Sequence, residues 1–300
     1  MASTKTPSKD TAPRGTALQF LQNAGLRAMI GLALALPYGW RVPLMGWLAS
    51  RVLAPLAGWR RRIRENLAHA CPDLPEAEVA RLVRAVPDNV GRTVIEIYSG
   101  AAFATRAARS VITGPGLPAL EAARAGGRPV ILVTAHFGNY DAARAALIAR
   151  GHNMGALYRA MSNPFFDAHY TRTIRAIGEP MFEQGRAGMA QLVRHVKSGG
   201  VLGILTDLHA PKGEVLDFFG QPAKTSLITA ELALKYDAAL IPVYSLRQPD
   251  GMSFVVHVLE EIAPSDARTM TQQVNDGLEA LVRDHMGQWF WIHRRWKVGR

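Results

Sequence analysis

Residues 130–141 read Val-Ile-Leu-Val-Thr-Ala-His-Phe-Gly-Asn-Tyr-Asp, an apolar run that ends in polar side chains. The first six residues are rich in β-branched side chains and carry no charge, which predicts a strand buried on both faces of a parallel sheet. Residues 142–150, Ala-Ala-Arg-Ala-Ala-Leu-Ile-Ala-Arg, predict a helix. His136 is therefore expected where a strand ends, and Asp141 in the first turn of the following helix.

The residue types of His136 and Asp141 are those of a general base and its partner. Ligands of open α/β sheets bind at the carboxyl ends of strands, where His136 is expected. Imidazole accepts a proton near neutral pH, and a carboxylate on its other nitrogen fixes the tautomer. Gly138 permits a tight turn and Asn139 can cap the helix, so the turn can fold Asp141 back towards the ring. The alternative is that His136 and Asp141 only cap the helix.

The sequence indicates neither a protein nucleophile nor a cofactor. It has no Gly-x-Ser-x-Gly elbow, so a hydroxyl of the substrate is expected to attack. Asp207 and His209 could suggest a metal, but a third and fourth ligand at suitable spacing are lacking. Glycines at positions 114, 116, 126 and 127 predict turns rather than a nucleotide-binding fingerprint. The single cysteine, Cys71, excludes a disulfide framework.

Beyond residue 73 the pattern alternates between helices and strands. One helix is predicted to start near residue 73 and a second to cover residues 89–99. Strands are predicted at residues 130–134, 154–158, 201–206, 240–245 and 253–258, and helices at residues 165–177, 189–197, 226–236 and 269–286. This order indicates the α/β class, with a mixed, largely parallel sheet covered by helices on both faces.

Three further residues are expected near His136 because they end neighbouring strands. Tyr158 ends one strand and Arg159 follows it, and Asp207 follows another strand. A guanidinium at this edge can hold a phosphate through two parallel hydrogen bonds. The alternatives are a surface arginine at position 159 and a turn cap at position 207.

The N-terminal part predicts contact with a membrane. Residues 1–15 are polar and predict a disordered tail, whereas residues 16–64 predict membrane-associating helices. Arginines and prolines interrupt the apolar runs, so no clean span of about 20 apolar residues is present. Trp40, Trp47 and Trp59 suit a headgroup interface, and the basic run 60–64 suits an anionic leaflet. A monotopic anchor or a membrane-embedded hairpin is expected; the alternative is a pair of buried core helices.

Charge narrows the choice of partner. The chain of 300 residues carries a net charge of +11, which suits nucleic acid, anionic lipid or an acidic protein. No nucleic-acid-binding module is recognisable, so no nucleic-acid partner is expected. At the end of the chain, residues 291–297 combine two tryptophans with three basic residues. This edge predicts either a docking patch for a carrier protein or headgroups, or a helix end with favourable cations.

Several motifs in order resemble those of the lipid A biosynthesis acyltransferases (the lauroyl/myristoyl transferase family), a branch of the lysophospholipid acyltransferase superfamily. The resemblance covers residues 49–297, and its most specific element is the last. The motifs are His136-x4-Asp141, Tyr158-Arg159-x4-Pro164, Thr206-Asp207, Asp217-Phe-Phe-Gly220 and Trp291-Ile-His-Arg-Arg-Trp-Lys297. Thr206 stands where the family pattern predicts Gln, and His209 replaces part of an aromatic-glycine pair.

The resemblance implies an acyl transfer reaction. His136 and Asp141 would deprotonate an acceptor hydroxyl, which attacks an acyl thioester, and Arg159, Asp207, Gly138, Asn139 and Tyr158 would bind substrate. Residues 65–300 would form the acyltransferase domain. The donor would be acyl carrier protein or acyl-coenzyme A, with the carrier protein preferred, and the acceptor a hydroxyl of a lipid A precursor or a similar amphiphile. Neither cofactor nor metal would be needed. The location would be the cytoplasmic face of the bacterial inner membrane.

Other functions also fit the sequence. One is an acyltransferase for a lysophospholipid or an amino-acid-containing lipid. Another is a lipid esterase that uses water on the same pair of residues. The third is a membrane-bound adaptor without catalysis. Release of free fatty acid without an acceptor would favour the esterase, and lipid binding without turnover would favour the adaptor.

Overall fold

A computed structural model describes residues 15–297. Its helices share a right-handed α conformation and differ widely in length. They are α1 (Ala17–Leu34), α2 (Tyr38–Leu48), α3 (Ala54–Leu56), α4 (Trp59–Ala70), α5 (Glu76–Tyr98), α6 (Ala101–Ala107), α7 (Leu117–Ala125), α8 (Tyr140–Ala149), α9 (Pro164–Ile177), α10 (Arg186–Lys197), α11 (Ile228–Tyr236) and α12 (Ala267–Asp284). A π-helical turn, Ala49–Leu53, joins α2 to α3, and a 3-10 turn, Met286–Gln288, follows α12.

Nine strands form a seven-stranded sheet and a separate hairpin. They are β1 (Val111–Thr113), β2 (Val130–Thr134), β3 (Met154–Tyr158), β4 (Met181–Glu183), β5 (Val201–Leu205), β6 (Glu214–Phe218), β7 (Gln221–Thr225), β8 (Ala239–Arg247) and β9 (Phe254–Val258). The sheet has the order β1-β9-β8-β2-β5-β3-β4, and β6 pairs with β7. All neighbours in the sheet are parallel except β8 and β9.

The two faces of the sheet pack against different helices. Val130 and Leu132 of β2 pack in one apolar cluster with α7 and α8, whereas Ile131 and Val133 pack in another with α10, α11 and α12. Successive side chains of a strand point to opposite faces, so an entirely apolar strand needs a cover on both sides. The predicted mixed, largely parallel sheet with helices on both faces is confirmed.

The structure has one helix, α5, in the region where the sequence predicts two. It runs without a break from Glu76 to Tyr98 although Pro87 lies inside it. A proline in a helix interior costs about 3 kcal/mol because it lacks an N–H donor and crowds the preceding turn. The helix tolerates this cost because its buried stripe, which includes Leu82, Val86 and Ile95, packs against the rest of the protein.

The N-terminal helices leave an unusual amount of apolar surface exposed. Nine of the fifteen large apolar side chains that are exposed among residues 15–297 belong to this part of the chain. We call them the N-terminal apolar surface: Leu18, Phe20, Leu21, Leu32, Trp40, Leu44, Trp47, Val52 and Leu56. Within the described range, none of the helices combines the length and the hydropathy needed to cross a bilayer.

The predicted division of the chain into segments stays a prediction. Helix α4 runs from Trp59 to Ala70 and so continues across the predicted boundary after residue 64. The predicted disordered tail, residues 1–15, lies outside the described residues except for its last residue. Helix α1 begins at Ala17 because Thr16 and Gln19 form a capping box, in which each side chain accepts from the other residue's N–H.

An aromatic cluster covers the carboxyl end of the sheet. Its large side chains are Phe137, Phe218, Phe219, Trp289, Trp291 and Trp296. The predicted basic-aromatic edge is therefore corrected in part. Trp291 and Arg295 are fully buried, and Arg295 donates hydrogen bonds to the carbonyl of Lys224 and the hydroxyl of Thr225. The segment is an irregular chain rather than a helix end. Because Arg294 and Lys297 are exposed, the predicted docking patch for a carrier protein or headgroups stays a prediction.

Candidate active site

His136 and Asp207 meet because their strands are neighbours. Strands β2 and β5 are parallel, and their register pairs Thr134 with Leu205. His136 and Asp207 each lie two residues beyond this pair. Both strands therefore leave the sheet at the same level, which brings His136 beside Asp207. The carboxyl ends of parallel strands are the usual place for ligands in an α/β sheet.

The carboxylate of Asp207 accepts three hydrogen bonds. Its Oδ1 lies 2.8 Å from Nδ1 of His136, and its Oδ2 accepts the backbone N–H of His136 at 2.9 Å and the indole N–H of Trp289 at 3.0 Å. The side chain of Asp207 is 1% exposed, whereas that of His136 is 27% exposed. Burial raises the pKa of Asp207, but the charge of His136 and these hydrogen bonds outweigh it, so the pKa lies below its usual range.

This arrangement fixes the tautomer of the imidazole. An ionised carboxylate can only accept hydrogen bonds, so Nδ1 of His136 carries a proton and donates it. The lone pair of a neutral ring is then on Nε2. The rings of Tyr140 and Phe290 flank the imidazole, with centroids 5.4 and 5.5 Å away. The side chain of His136 is thus oriented, partly accessible and able to accept a proton.

The structure corrects the predicted pairing of His136 with Asp141. The carboxylate of Asp141 accepts from Nε of Arg144 at 2.7 Å, and both side chains are buried. Arg144 also donates to the carbonyls of Ile174 and Gly178, which ties α8 to α9. Asp141 is in the first turn of α8, as predicted, but there it faces the arginine one turn later rather than the imidazole.

Gly138 is required by the turn that carries His136. Its φ is +54°, and a Cβ at this position would lie 1.8 Å from the carbonyl oxygen of Ser245. Its N–H donates to the carbonyl of Gln288, and its own carbonyl accepts from Thr93 and Asn89. The predicted tight turn is confirmed. The predicted contact of Gly138 with substrate has no support, because its polar groups are bound within the protein.

Asn139 also positions the turn that carries His136. It caps α8 by accepting from the N–H of Asp141 at 3.1 Å, as predicted. Its amide donates to Glu96 at 2.8 Å, and the residue is fully buried. Since no part of its side chain is accessible, its predicted substrate contact is replaced by a structural contact.

A buried ion pair lies behind this turn. Arg247 of β8 binds Glu96 of α5 through two contacts of 2.5 and 2.8 Å. Arg247 also donates to Asn89 at 2.8 Å and to Thr93 at 3.1 Å, the two residues that hold the carbonyl of Gly138. The ion pair therefore connects α5 and β8 with both sides of the His136 turn.

Arg159 and Tyr158 lie at the same edge of the sheet but apart from the His136–Asp207 pair. Strand β3 pairs with β5 only as far as Ala156, and its last residues pair with β4. Tyr158 donates to Glu183 of β4 at 3.3 Å, and burial raises the pKa of its hydroxyl. Arg159 is exposed and, among residues 15–297, has no hydrogen bond to another side chain. Substrate binding by these two residues stays a prediction.

Two histidines beside Asp207 shape its loop. The N–H of His209 donates to Nε2 of His293 at 2.9 Å. Burial lowers the pKa of His293 to about 4, so its ring is neutral and can accept this bond. Tyr244 is buried nearby, and burial together with the charge of Asp207 raises its pKa. Within the described part of the chain, no group of three or more His, Cys, Asp or Glu side chains could hold a metal.

Four functional candidates were missing from the sequence prediction: Glu96, Arg247, Trp289 and His293. Two of them had a signal, because Trp289 and His293 lie in or beside the closing aromatic-basic motif. Glu96 and Arg247 had none. Each lies in an ordinary amphipathic or apolar stretch, and only the fold brings them together.

Comparisons with known proteins agree over almost the whole chain. The family model of the bacterial lipid A biosynthesis acyltransferases matches residues 9–298. A phosphatidylinositol mannoside acyltransferase of Mycobacterium tuberculosis (strain CDC 1551 / Oshkosh) is 24% identical over 273 residues, which are 84% of this chain and 86% of the relative. The lipid A biosynthesis acyltransferase 2 of Shigella flexneri is 26% identical over 259 residues, or 80% and 81% of the two chains.

A third relative gives a similar coverage. The lipid A biosynthesis acyltransferase of Haemophilus influenzae is 23% identical over 259 residues, which are 85% of this chain and 81% of the relative.

Proposed function

The chain belongs to the bacterial lipid A biosynthesis acyltransferase family, and from this premise we propose that it moves a fatty acyl chain from a thioester to a hydroxyl of a lipid A precursor, with His136 and Asp207 as the base. The family resemblance predicted from the motifs is confirmed, and the chain is an acyltransferase for lipid-like substrates. This favours the acyltransferase over the esterase and the adaptor. The single observation that carries the mechanism is the 2.8 Å contact between Nδ1 of His136 and Asp207.

The reaction follows from the tautomer. Nε2 of His136 takes the proton of the acceptor hydroxyl while the hydroxyl oxygen attacks the thioester carbonyl. Asp207 stabilises the imidazolium that forms. The tetrahedral intermediate then expels the thiolate, which leaves as a thiol with the proton from Nε2. General-base help of this kind contributes about 10²–10⁴-fold, and the remaining acceleration comes from positioning the two substrates.

The donor is proposed to be acyl carrier protein rather than acyl-coenzyme A. The net charge of +11 suits an acidic carrier protein. Arg159 is available at the edge of the sheet, where its guanidinium would bind a phosphate of the donor or the acceptor through two parallel hydrogen bonds. No cofactor has a part in this reaction, since the thioester is already activated.

The protein is proposed to lie on the cytoplasmic face of the inner membrane. The N-terminal apolar surface supports this location, with Trp40 72% and Trp47 53% exposed. Two arginines of the basic run at residues 60–64 are already paired with carboxylates. Arg64 pairs with Glu76 at 2.7 Å and Arg61 lies 3.5 Å from Glu65. Apolar contact is therefore expected to contribute more to membrane binding than residues 60–64 do.

Lipid mass spectrometry of cells with and without the gene tests the proposed function. Cells that lack the chain are expected to accumulate a lipid A precursor that is short of one acyl chain, and a plasmid copy should restore it. The relatives named for phosphatidylinositol mannoside favour a second candidate acceptor, another phosphate-bearing glycolipid. In that case the missing acyl chain would appear in such a lipid, while the lipid A fraction stayed the same. Identical lipids in both strains would contradict both candidates.

A further inference from the structure

One groove of the described chain does not include His136 in its lining. It has a volume of about 1230 Å³ and lies between α5, the π-helical turn, the ends of β8 and β9, and the 3-10 turn. Gln288 forms part of its wall, and the carbonyl of the same residue accepts a hydrogen bond from the N–H of Gly138. We call it the rear groove. It opens behind the turn that carries His136, so it is a site separate from the His136–Asp207 pair.

Helix α5 forms one wall of the rear groove. Its groove-facing residues include Ala77, Ala80, Arg81, Arg84 and Asp88, which are spaced as neighbours on one face of a helix. The stretch from Ala77 to Asp88 spans about 16 Å along the axis. The small alanines leave space where longer side chains would fill the groove. An elongated ligand of the size of a lipid headgroup therefore fits along this wall.

Free positive charge lines the rear groove. Arg81 is paired with Glu78, and Arg247 with Glu96. Arg51 and Arg84 are exposed, and neither has a carboxylate within 4.0 Å among residues 15–297. Less negative than positive charge lines the groove. Its two acidic residues are Asp88, which Arg92 neutralises, and Asp284 at the far end. His257 and His285 add two imidazoles to the same wall.

The rear groove continues into the N-terminal apolar surface. Trp40, Leu44 and Trp47 are exposed and follow one face of α2, and Arg51 comes one turn after Trp47. Both Trp47 and Arg51 line the groove. One face of α2 and of the π-helical turn after it therefore runs from apolar side chains to an arginine at the mouth of the groove. Tryptophan favours the boundary between acyl chains and headgroups, and arginine binds phosphate.

We propose that the rear groove binds the phosphate headgroup of an anionic membrane lipid, whose acyl chains lie against the N-terminal apolar surface. Arg51 and Arg84 contact the phosphate, and the alanine stripe of α5 gives the headgroup its space. The bound lipid is a membrane component distinct from the acceptor at His136. The bound lipid fixes the orientation of the sheet relative to the bilayer. This follows because α5 forms one wall of the groove and also carries Asn89 and Thr93, which hold the turn of His136.

Vesicle binding by the full-length protein tests the proposal. The probes are vesicles of phosphatidylcholine alone and of phosphatidylcholine with phosphatidylglycerol. A basic residue near an anionic surface contributes about 1 kcal/mol, so Arg51→Gln together with Arg84→Gln is expected to weaken binding to the anionic vesicles about thirtyfold. The matched control is Arg186→Gln with Arg194→Gln on α10. These two arginines are also exposed, and this change should alter binding less than twofold.

A second variant separates a specific groove from general attraction to negative charge. Ala80→Trp fills the rear groove without changing the charge, and it should weaken binding to phosphatidylglycerol vesicles at least tenfold. If Ala80→Trp binds as wild type does, or if the two arginine pairs lose binding equally, the groove is not a headgroup site. Binding of glycerol 3-phosphate in solution as tight as binding to the anionic vesicles would also overturn the proposal, because the N-terminal apolar surface would then contribute nothing. None of these measurements requires turnover, so they do not depend on the outcome for acyl transfer.

Discussion

An Asp207→Asn enzyme is expected to transfer acyl chains about 10²–10⁴-fold more slowly than the wild type, with the loss mainly in kcat. The carboxylate accepts from two N–H groups of His136 and from the indole of Trp289. An amide of the same shape has an NH2 group on one side, so it must oppose one of these donors. If its NH2 group faces Nδ1, the ring takes the other tautomer and Nε2 cannot act as a base.

Asp141→Asn is the matched control. It makes the same change from carboxylate to amide at the residue that the sequence predicted as the partner of His136. It leaves Arg144 in a buried site without its charged partner. The folded enzyme should lose stability but keep most of its kcat. Steady-state kinetics with thermal unfolding separate the two effects. A wild-type kcat for Asp207→Asn, together with a large loss for Asp141→Asn, would contradict the pairing on which the mechanism depends.

Arg247→Met is expected to lower the free energy of unfolding by about 3–5 kcal/mol, because it leaves Glu96 as an unpaired buried charge. Glu96 is fully buried and its carboxylate binds only Arg247 and Asn139 within the described chain. Removing both charges, with Glu96→Leu and Arg247→Met, should cost less than the single change. Urea unfolding measures both variants. A loss below about 1 kcal/mol in Arg247→Met would mean that this ion pair does not hold α5 to β8.

Much of the fold could be predicted because its strands are strongly patterned. Strand β2 is an unbroken apolar run between Pro129 and Ala135, and its predicted bounds agree with the structure. The three-residue strands β1 and β4 were not predicted, because so few residues show no period. Helix α5 was predicted as two helices, one starting near residue 73 and one at residues 89–99. Pro87 lies between these predictions, and tertiary packing outweighs its local cost to the helix.

The site was harder to predict because its contacts cross the sequence. Asp141 was chosen as the partner of His136 since it is five residues away, and Asp207 was assigned to substrate. The actual pair depends on β5 lying next to β2, an order that no local pattern reveals. Glu96 and Arg247 are further apart still. Their side chains meet only because α5 lies across the carboxyl end of the sheet, over the turn at Gly138.

Acyl transfer by purified His136→Ala tests the central claim most directly. The assay supplies an acyl thioester and the acceptor lipid identified by mass spectrometry, and it follows the acylated lipid in a single turnover. His69→Ala, an exposed histidine on α4, serves as the control. The mechanism predicts that His136→Ala falls to near the background rate with an unchanged circular dichroism spectrum, while His69→Ala remains active. Wild-type transfer by His136→Ala would contradict the assignment of His136 as the base.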